Sequence, residues 1–427
     1  MTVALVAFLI LFALLLTSTP ISFSAALATA GGIFSAGNMN IAVIAQKMFE
    51  STNSFTLIAV PLFILAGRFM ALGGITRDLL NFSSVLVGFL RGGLAYVNVV
   101  ASMFFAGITG SAAADTASIG AILIPTMIDR GYEKDFSVAV TATSSTIGVM
   151  IPPSIGMILY GVAANVSIGD LFMGGAIPGI LVGFGLMAVC AVYAKKRNYP
   201  REEKYAFKDA LKILLKGIPA MMTVVIIIGG IIAGFFTATE AAVVAVIYTL
   251  LLGMFYYKEL KLKDIPGILV EVSVTVGMVV MMVASTSALG WLFARMGVPA
   301  KLTAAMLSIS DNRYVIMGLI LILLLFIGTW LDNAAAITLF TPILFPVAMS
   351  IGMDPVHFGV VMIVGLAMGM FTPPVGVCLF IACGIAKVSI TDTLKAFIPF
   401  FLVMLAILVL ITYVPQISLW LPNLVAA

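Results

Sequence analysis

The sequence predicts an all-α polytopic membrane protein of two inverted repeats, each carrying a re-entrant helical hairpin and a discontinuous helix. Three observations carry this expectation. First, 62% of the 427 residues are hydrophobic and 9% charged, with a mean hydropathy of +1.22. Soluble domains carry about 25% charged residues, so this chain cannot cover a water-facing surface and belongs in a bilayer. Second, TATSSTIGVMIPPS (141–154) and AMGMFTPPVG (367–376) each interrupt an apolar run with glycine, hydroxyls and a Pro-Pro pair. Proline removes a backbone donor and clashes with the preceding turn, so a helix comes apart there. In lipid the freed polar groups must face protein or a water-filled cavity. Third, Gly148, Pro152 and Pro153 recur as Gly369, Pro373 and Pro374, each displaced by 221 residues. A broken helix repeated in both halves points to a midplane ion and substrate site, and so to a transporter.

Residues 2–37 are almost uninterrupted apolar sequence. As one helix they would measure about 54 Å, against a hydrocarbon core of roughly 30 Å. Thr17–Pro20 is therefore expected to turn the chain between two short spans. The segment lacks a basic n-region and a small-residue cleavage site, so it reads as a retained span. Gln46, Lys47 and Glu50 mark an amphipathic arm along the interface, which closes a scaffold segment at 1–54.

The first repeat covers 55–194. A span over Phe55–Gly73 comes first, and Arg68, Arg77 and Arg91 cluster at its cytoplasmic end by the positive-inside rule. Residues 92–129 hold one polar, small-residue tip, Gly107–Asp115, between flanks too short to cross comfortably. They are expected to form a re-entrant hairpin. The broken helix occupies 136–166, and a span follows over Leu171–Tyr193.

Residues 195–264 form a linking unit. Lys195, Lys196, Arg197, Arg201, Lys204, Lys208, Lys212 and Lys216 outnumber Glu202, Glu203 and Asp209, which places 195–216 in the cytoplasm. Spans at about 217–233 and 238–256 lead to Lys258, Lys261 and Lys263, so 258–264 is cytoplasmic as well.

The second repeat covers 265–427, with a hairpin at 313–350 and a broken helix at 355–386. Gly74, Arg91, Gly131, Asp170 and Pro178 find counterparts in Gly297, Arg313, Gly352, Asp392 and Pro399 at offsets of 221–223. Self-similarity in register over so long a stretch is the signature of an internal repeat. With both basic segments cytoplasmic, the span near 266–290 runs outward where its mate at 55–73 runs inward. The repeats are therefore inverted, and the C-terminus is periplasmic.

Asp115 and Asp332 lie deep in apolar sequence, where an ionised carboxylate costs at least about 2.5–3.5 kcal/mol on insertion scales. Each can be read blandly as a helix N-cap, since GSAAADTAS and LDNAAAITL both resemble capping sequences. Capping and function are compatible, because helix N-termini bind anions. Ser144, Ser145, Thr146 and Ser154 can likewise bond back to the preceding turn or face a site.

Several chemistries are excluded. There is no GxxxxGK[ST], GxSxG, HExxH or GxGD motif. His357 is the single histidine, and Cys190, Cys378 and Cys383 sit in apolar runs without CxxC spacing. The net charge of +4 comes from loops beside spans and reports orientation rather than nucleic-acid binding. A channel or a passive structural subunit is the rival reading, but a channel needs a continuous polar stripe.

GITGSAAADTASIGAILIP (107–125), IPPSIGMILYG (151–161), GTWLDNAAAITLFTPIL (328–344) and MGMFTPPVGVCLF (368–380) resemble the large membrane subunit of tripartite ATP-independent periplasmic (TRAP) transporters. The resemblance covers essentially the whole chain. It implies an elevator-type secondary transporter driven by sodium, related in architecture to divalent-anion/sodium symporters. It also implies a bacterial inner-membrane location, a small four-helix membrane subunit, and a periplasmic binding protein delivering a sialic acid or C4-dicarboxylate. Carried over, one sodium would sit at Ser111, Asp115, Ser145 and the carbonyls near Gly148. A second would sit near Gly328, Thr329, Asp332, Asn333, Gly369 and Thr372. The substrate would lie between the tips at Ser111, Ser154 and Asn333, with Asp332 nearby. The second break has Thr372 but no serine run matching Ser144-Ser145, so the two sodium sites are not expected to be equivalent. Segments near 40–54, 78–91 and 299–311 would link the moving bundle to its scaffold.

Overall fold

The computed structural model describes residues 2–17, 19–201 and 204–426. Ser18 of the expected first turn and Glu202-Glu203 of the basic segment lie outside the described residues. Twenty helices follow in order: α1 (Thr2–Leu16), α2 (Ile21–Ala36), α3 (Ala42–Thr52), α4 (Ala59–Leu72), α5 (Ile75–Val87), α6 (Gly93–Thr109) and α7 (Ala112–Asp129). Then come α8 (Lys134–Ser144), α9 (Ile155–Ala164), α10 (Ile168–Lys196), α11 (Phe207–Ile232), α12 (Ala238–Leu251) and α13 (Ile265–Arg295). The chain ends with α14 (Val298–Ile309), α15 (Arg313–Trp330), α16 (Asn333–Ser350), α17 (Pro355–Gly369), α18 (Val377–Ala386), α19 (Ile390–Tyr413) and α20 (Gln416–Ala426). Eight helical segments among the described residues are long and apolar enough to cross a bilayer, by length and composition.

Two helical hairpins and two helix breaks are present, as the fold class requires. The first hairpin is α6–α7, turning at Gly110-Ser111, and the second is α15–α16, turning at Leu331-Asp332. The first break separates α8, extended by a 3-10 turn over Ser145–Val149, from α9. The second separates α17 from α18, and Pro152-Pro153 and Pro373-Pro374 are both cis.

Some boundaries differ from expectation. Helix α11 begins at Phe207 rather than near 217, so Lys208, Lys212 and Lys216 are helical instead of looped. FKDALKILLK alternates good helix formers with charges at four-residue spacing, and the helix continues past the apolar stretch. Helix α10 likewise extends three residues beyond each expected end. The sequence reading also left 414–426 without an element, where α20 packs back on α10.

Packing comes in exchanged pairs. Helix α7 lies beside α18 while α16 lies beside α9, and α8 lies beside α19 while α17 lies beside α10. Each hairpin thus rests on the other repeat's half-helix, as a twofold relation between the halves requires. A large apolar core runs through these elements, with Phe136, Tyr160, Phe358 and Phe400 fully or almost fully buried. Outside it, α4 packs on α12 and α13, α2 on α1 and α13, and α5 on α6 and α11. Phe69, Leu260, Ile268 and Val272 make a separate small core there.

Candidate functional site

Each hairpin tip is pressed onto the break of its own repeat, and glycine makes the approach possible. Gly110 takes φ +60, which favours glycine, and a Cβ there would lie 2.8 Å from the Pro153 carbonyl oxygen. Gly148 faces the first tip, with its Cβ position 3.5 Å from the Ser111 carbonyl oxygen and the Ala112 amide. In the second repeat a Cβ on Gly369 would overlap the Gly328 carbonyl, and the Val375 amide donates to the Thr329 carbonyl at 3.3 Å.

Three helix starts converge with these tips, each capped by a side-chain oxygen. Ser111 Oγ accepts from the Ala114 amide at 3.4 Å, Ser154 Oγ from the Met157 amide at 3.3 Å, and Asp332 Oδ2 from the Ala334 amide at 3.1 Å. The partial positive charge of a helix N-terminus favours anions. Ser154 and Asn333 come from different repeats, yet Ser154 Oγ and Asn333 Nδ2 both lie 3.6 Å from the Cβ position of Gly156. Asn333 is buried, and neither of its amide atoms has a hydrogen-bond partner.

Ser111, Asp332 and Asn333 line one cavity of about 370 Å³, together with Thr109, Met370 and residues of α4 and α13. Ser154 is fully buried behind this wall. Asp115 is not on the cavity surface. It is completely buried, with Ser102 and Ser145 facing it. Neither hydroxyl satisfies it, because Ser102 Oγ donates to Ser144 Oγ at 3.2 Å and Ser145 Oγ to the Thr141 carbonyl at 2.8 Å. Thr329 and Thr372 donate to Phe326 and Met368 carbonyls, leaving their lone pairs free to accept. The sites therefore divide into two tip-and-break clefts, with one cavity between the tips. Among the described residues no group of three or more His, Cys, Asp or Glu could hold a metal ion. Hydroxyls, main-chain carbonyls and the carboxylates of Asp115 and Asp332 are the oxygens on offer.

Two features escaped the sequence reading. Asn98 and Ser102 sit four residues apart on α6 and join Thr141 and Ser144 in a buried chain, with Asn98 Nδ2 donating to Thr141 Oγ1 at 2.7 Å. Their spacing on one face of an apolar hairpin arm is the signal that could have found them. Arg68, taken as a plain orientation marker, instead lines the cavity and pairs with Glu271 of α13.

A family model described as "Tripartite ATP-independent periplasmic transporter, DctM component" matches residues 8–417. The chain is 42% identical to the isethionate TRAP transporter permease protein DctMQ of Oleidesulfovibrio alaskensis, over 95% of this chain and 64% of that one. It is 37% identical to the C4-dicarboxylate TRAP transporter large permease protein DctM of Rhodobacter capsulatus, over 99% of both. It is 39% identical to the sialic acid TRAP transporter large permease protein SiaM of Vibrio cholerae, over 96% of both. The solved YdaH transporter of Alcanivorax borkumensis shares the fold, with a TM-score of 0.61 at 13% identity, covering 89% of this chain and 87% of that one.

Proposed function

Because the chain belongs to the DctM component family of tripartite ATP-independent periplasmic transporters, we propose that it carries an organic-acid anion into the cell by sodium-coupled symport. It is a transporter permease and not an enzyme. The substrate is a sialic acid or a C4-dicarboxylate, handed over by a periplasmic binding protein. A small four-helix membrane subunit works beside it; the relative named DctMQ, only 64% of whose length this chain matches, supports such a pairing. Relatives of near-equal identity are named for isethionate, a C4-dicarboxylate and sialic acid, so overall likeness does not choose among these anions. Their common chemistry is an oxyanion on a small organic body.

One observation supports this most: three capped helix starts and the unpartnered amide of Asn333 gather at or beside a single cavity. In this reading Ser111, Ser154 and Asn333 hold the anion, with Asp332 adjacent. One sodium takes oxygens from Ser111, Asp115, Ser145 and the Gly148 region. The other takes them from Gly328, Thr329, Asp332, Gly369 and Thr372. Sodium orders the unwound segments, and the anion then neutralises the converging dipoles. The loaded tips and breaks slide as an elevator against α4 and α13, and this works only if ligands favour the translocating state. Residues 195–216 and 258–264 face the cytoplasm and the C-terminus the periplasm, in the bacterial inner membrane.

A second cavity, of about 610 Å³, gathers Phe55, Asn165, Asp170 and Thr237 and shares no lining residue with the first. Separate lining sets give no continuous polar stripe of the kind a channel needs. The test is proteoliposome uptake of labelled succinate and N-acetylneuraminate by the chain with its small subunit and binding protein. Saturable uptake should follow the sodium gradient, and uptake that persists after the gradient is collapsed defeats the coupling.

A further inference from the structure

The wall of the cavity opposite the hairpin tips is formed by α4 and α13, and it carries one fixed ion pair. Arg68 Nη2 lies 2.5 Å from Glu271 Oε1 and 2.6 Å from Oε2, while Nε lies 3.1 Å from Oε2. The two side chains are 38% and 54% exposed, and both line the same cavity as Ser111, Asp332 and Asn333. An ion pair this open contributes little to stability. Ionisable side chains within apolar helices are nonetheless costly and mark functional pathways. The pair is also one-sided. At the 221–223 residue offsets between the repeats, Arg68 falls on Leu289, Gly290 or Trp291, all uncharged. The internal symmetry is thus broken at this charge on α4.

We propose that Arg68 is a second anion contact, on the release side of the transport site, and that Glu271 is its tethered competitor. A guanidinium presents its N–H donors as a planar fork that fits a carboxylate two-pronged. Glu271 fills that fork, and a carboxylate or sulfonate leaving the hairpin tips offers the same oxygens. The departing anion exchanges with Glu271 on Arg68, and the return of Glu271 expels it. Without Glu271, Arg68 would be an unpaired cation that traps the anion. This inference rests on the reading that the cavity takes an organic anion.

The experiment uses the full chain in nanodiscs, in sodium buffer, titrated with succinate, isethionate and N-acetylneuraminate. With the probe that binds wild type, Arg68→Gln should raise Kd about tenfold and Glu271→Gln should lower it about tenfold. The double variant should behave like Arg68→Gln. A purely structural strut predicts that both single variants shift Kd in the same direction, and that result overturns the proposal while leaving the transport reading intact. If wild type binds none of the probes, the anion reading falls and this proposal with it. Should Arg68→Gln not yield folded protein, Glu271→Gln alone decides: Kd unchanged or raised overturns the proposal.

Discussion

A buried amide that makes no hydrogen bond costs about 1–3 kcal/mol, and both amide atoms of Asn333 are in that state. A residue kept for packing would not carry this penalty, whereas a residue held ready for a ligand would. The Asn333→Ala variant should therefore keep or slightly raise its Tm without ligand and lose at least about tenfold in anion affinity. Thermal unfolding and a binding titration on the same preparation check both halves. A lowered Tm with unchanged affinity would make Asn333 structural. Asp332, one position earlier, differs because its carboxylate is committed to the Ala334 amide. Its truncation should cost about 0.5–2 kcal/mol as a lost cap, so stability and binding fall together there. The sequence marked Asp332 and Asn333 as one unit. Only the packing separates the capping residue from the one with free polar atoms.

At the scale of elements, the tip-and-break contact is the feature most sensitive to a single methyl group. Gly328 and Gly369 meet backbone to backbone. Gly369→Ala should force the second tip off its break and cost about 1–3 kcal/mol. Uptake should be lost although the chain still reaches the membrane, as uptake and surface-expression assays will show. A second element-level tie joins the start of α8 to the end of α10. Arg197 donates to Asp135 Oδ1 and Oδ2 at 2.8 and 2.9 Å, and Tyr199 donates to Glu133. Burial pushes the Asp135 carboxyl up, but the Arg197 guanidinium and the Phe136 amide together outweigh it and hold the group below its ordinary value. A depressed carboxyl contributes stability that is fully present above its unfolded pKa, about 3.9. That contribution is lost as pH falls through the lower, folded value. Asp135→Asn should lower Tm at neutral pH and flatten its fall between about pH 5 and the acid limit. An unchanged acid limb would show that this pair does not govern it.

For the whole molecule, the exchanged packing of α7 on α18 and α16 on α9 means that neither repeat folds around its own site alone. The hairpins and breaks form one body, and α4 and α13 form the wall it faces across the cavity. If that body slides, tethering it to the wall stops transport without touching the ligands. Ala71→Cys on α4 and Ala113→Cys on α7 both line the cavity, and Cys190, Cys378 and Cys383 are buried. A bifunctional thiol reagent joining the introduced pair should abolish uptake while sodium-dependent binding survives, and uptake by the linked protein would count against a sliding mechanism.

By itself the sequence determined the membrane class, the positions of both breaks and both tips, and the duplication relating them. These follow from local causes: a Pro-Pro pair ends a helix wherever it lies, and an apolar run of given length has few fates in lipid. It did not determine that Ser154 and Asn333, 179 residues apart, would both come up to Gly156. Nor did it reveal that Asp115 lies under its tip among Ser102 and Ser145 rather than on the cavity, or that Arg68 is held by Glu271. Those outcomes depend on how two repeats pack across their twofold, and side-chain neighbours from distant segments leave no periodicity in either one.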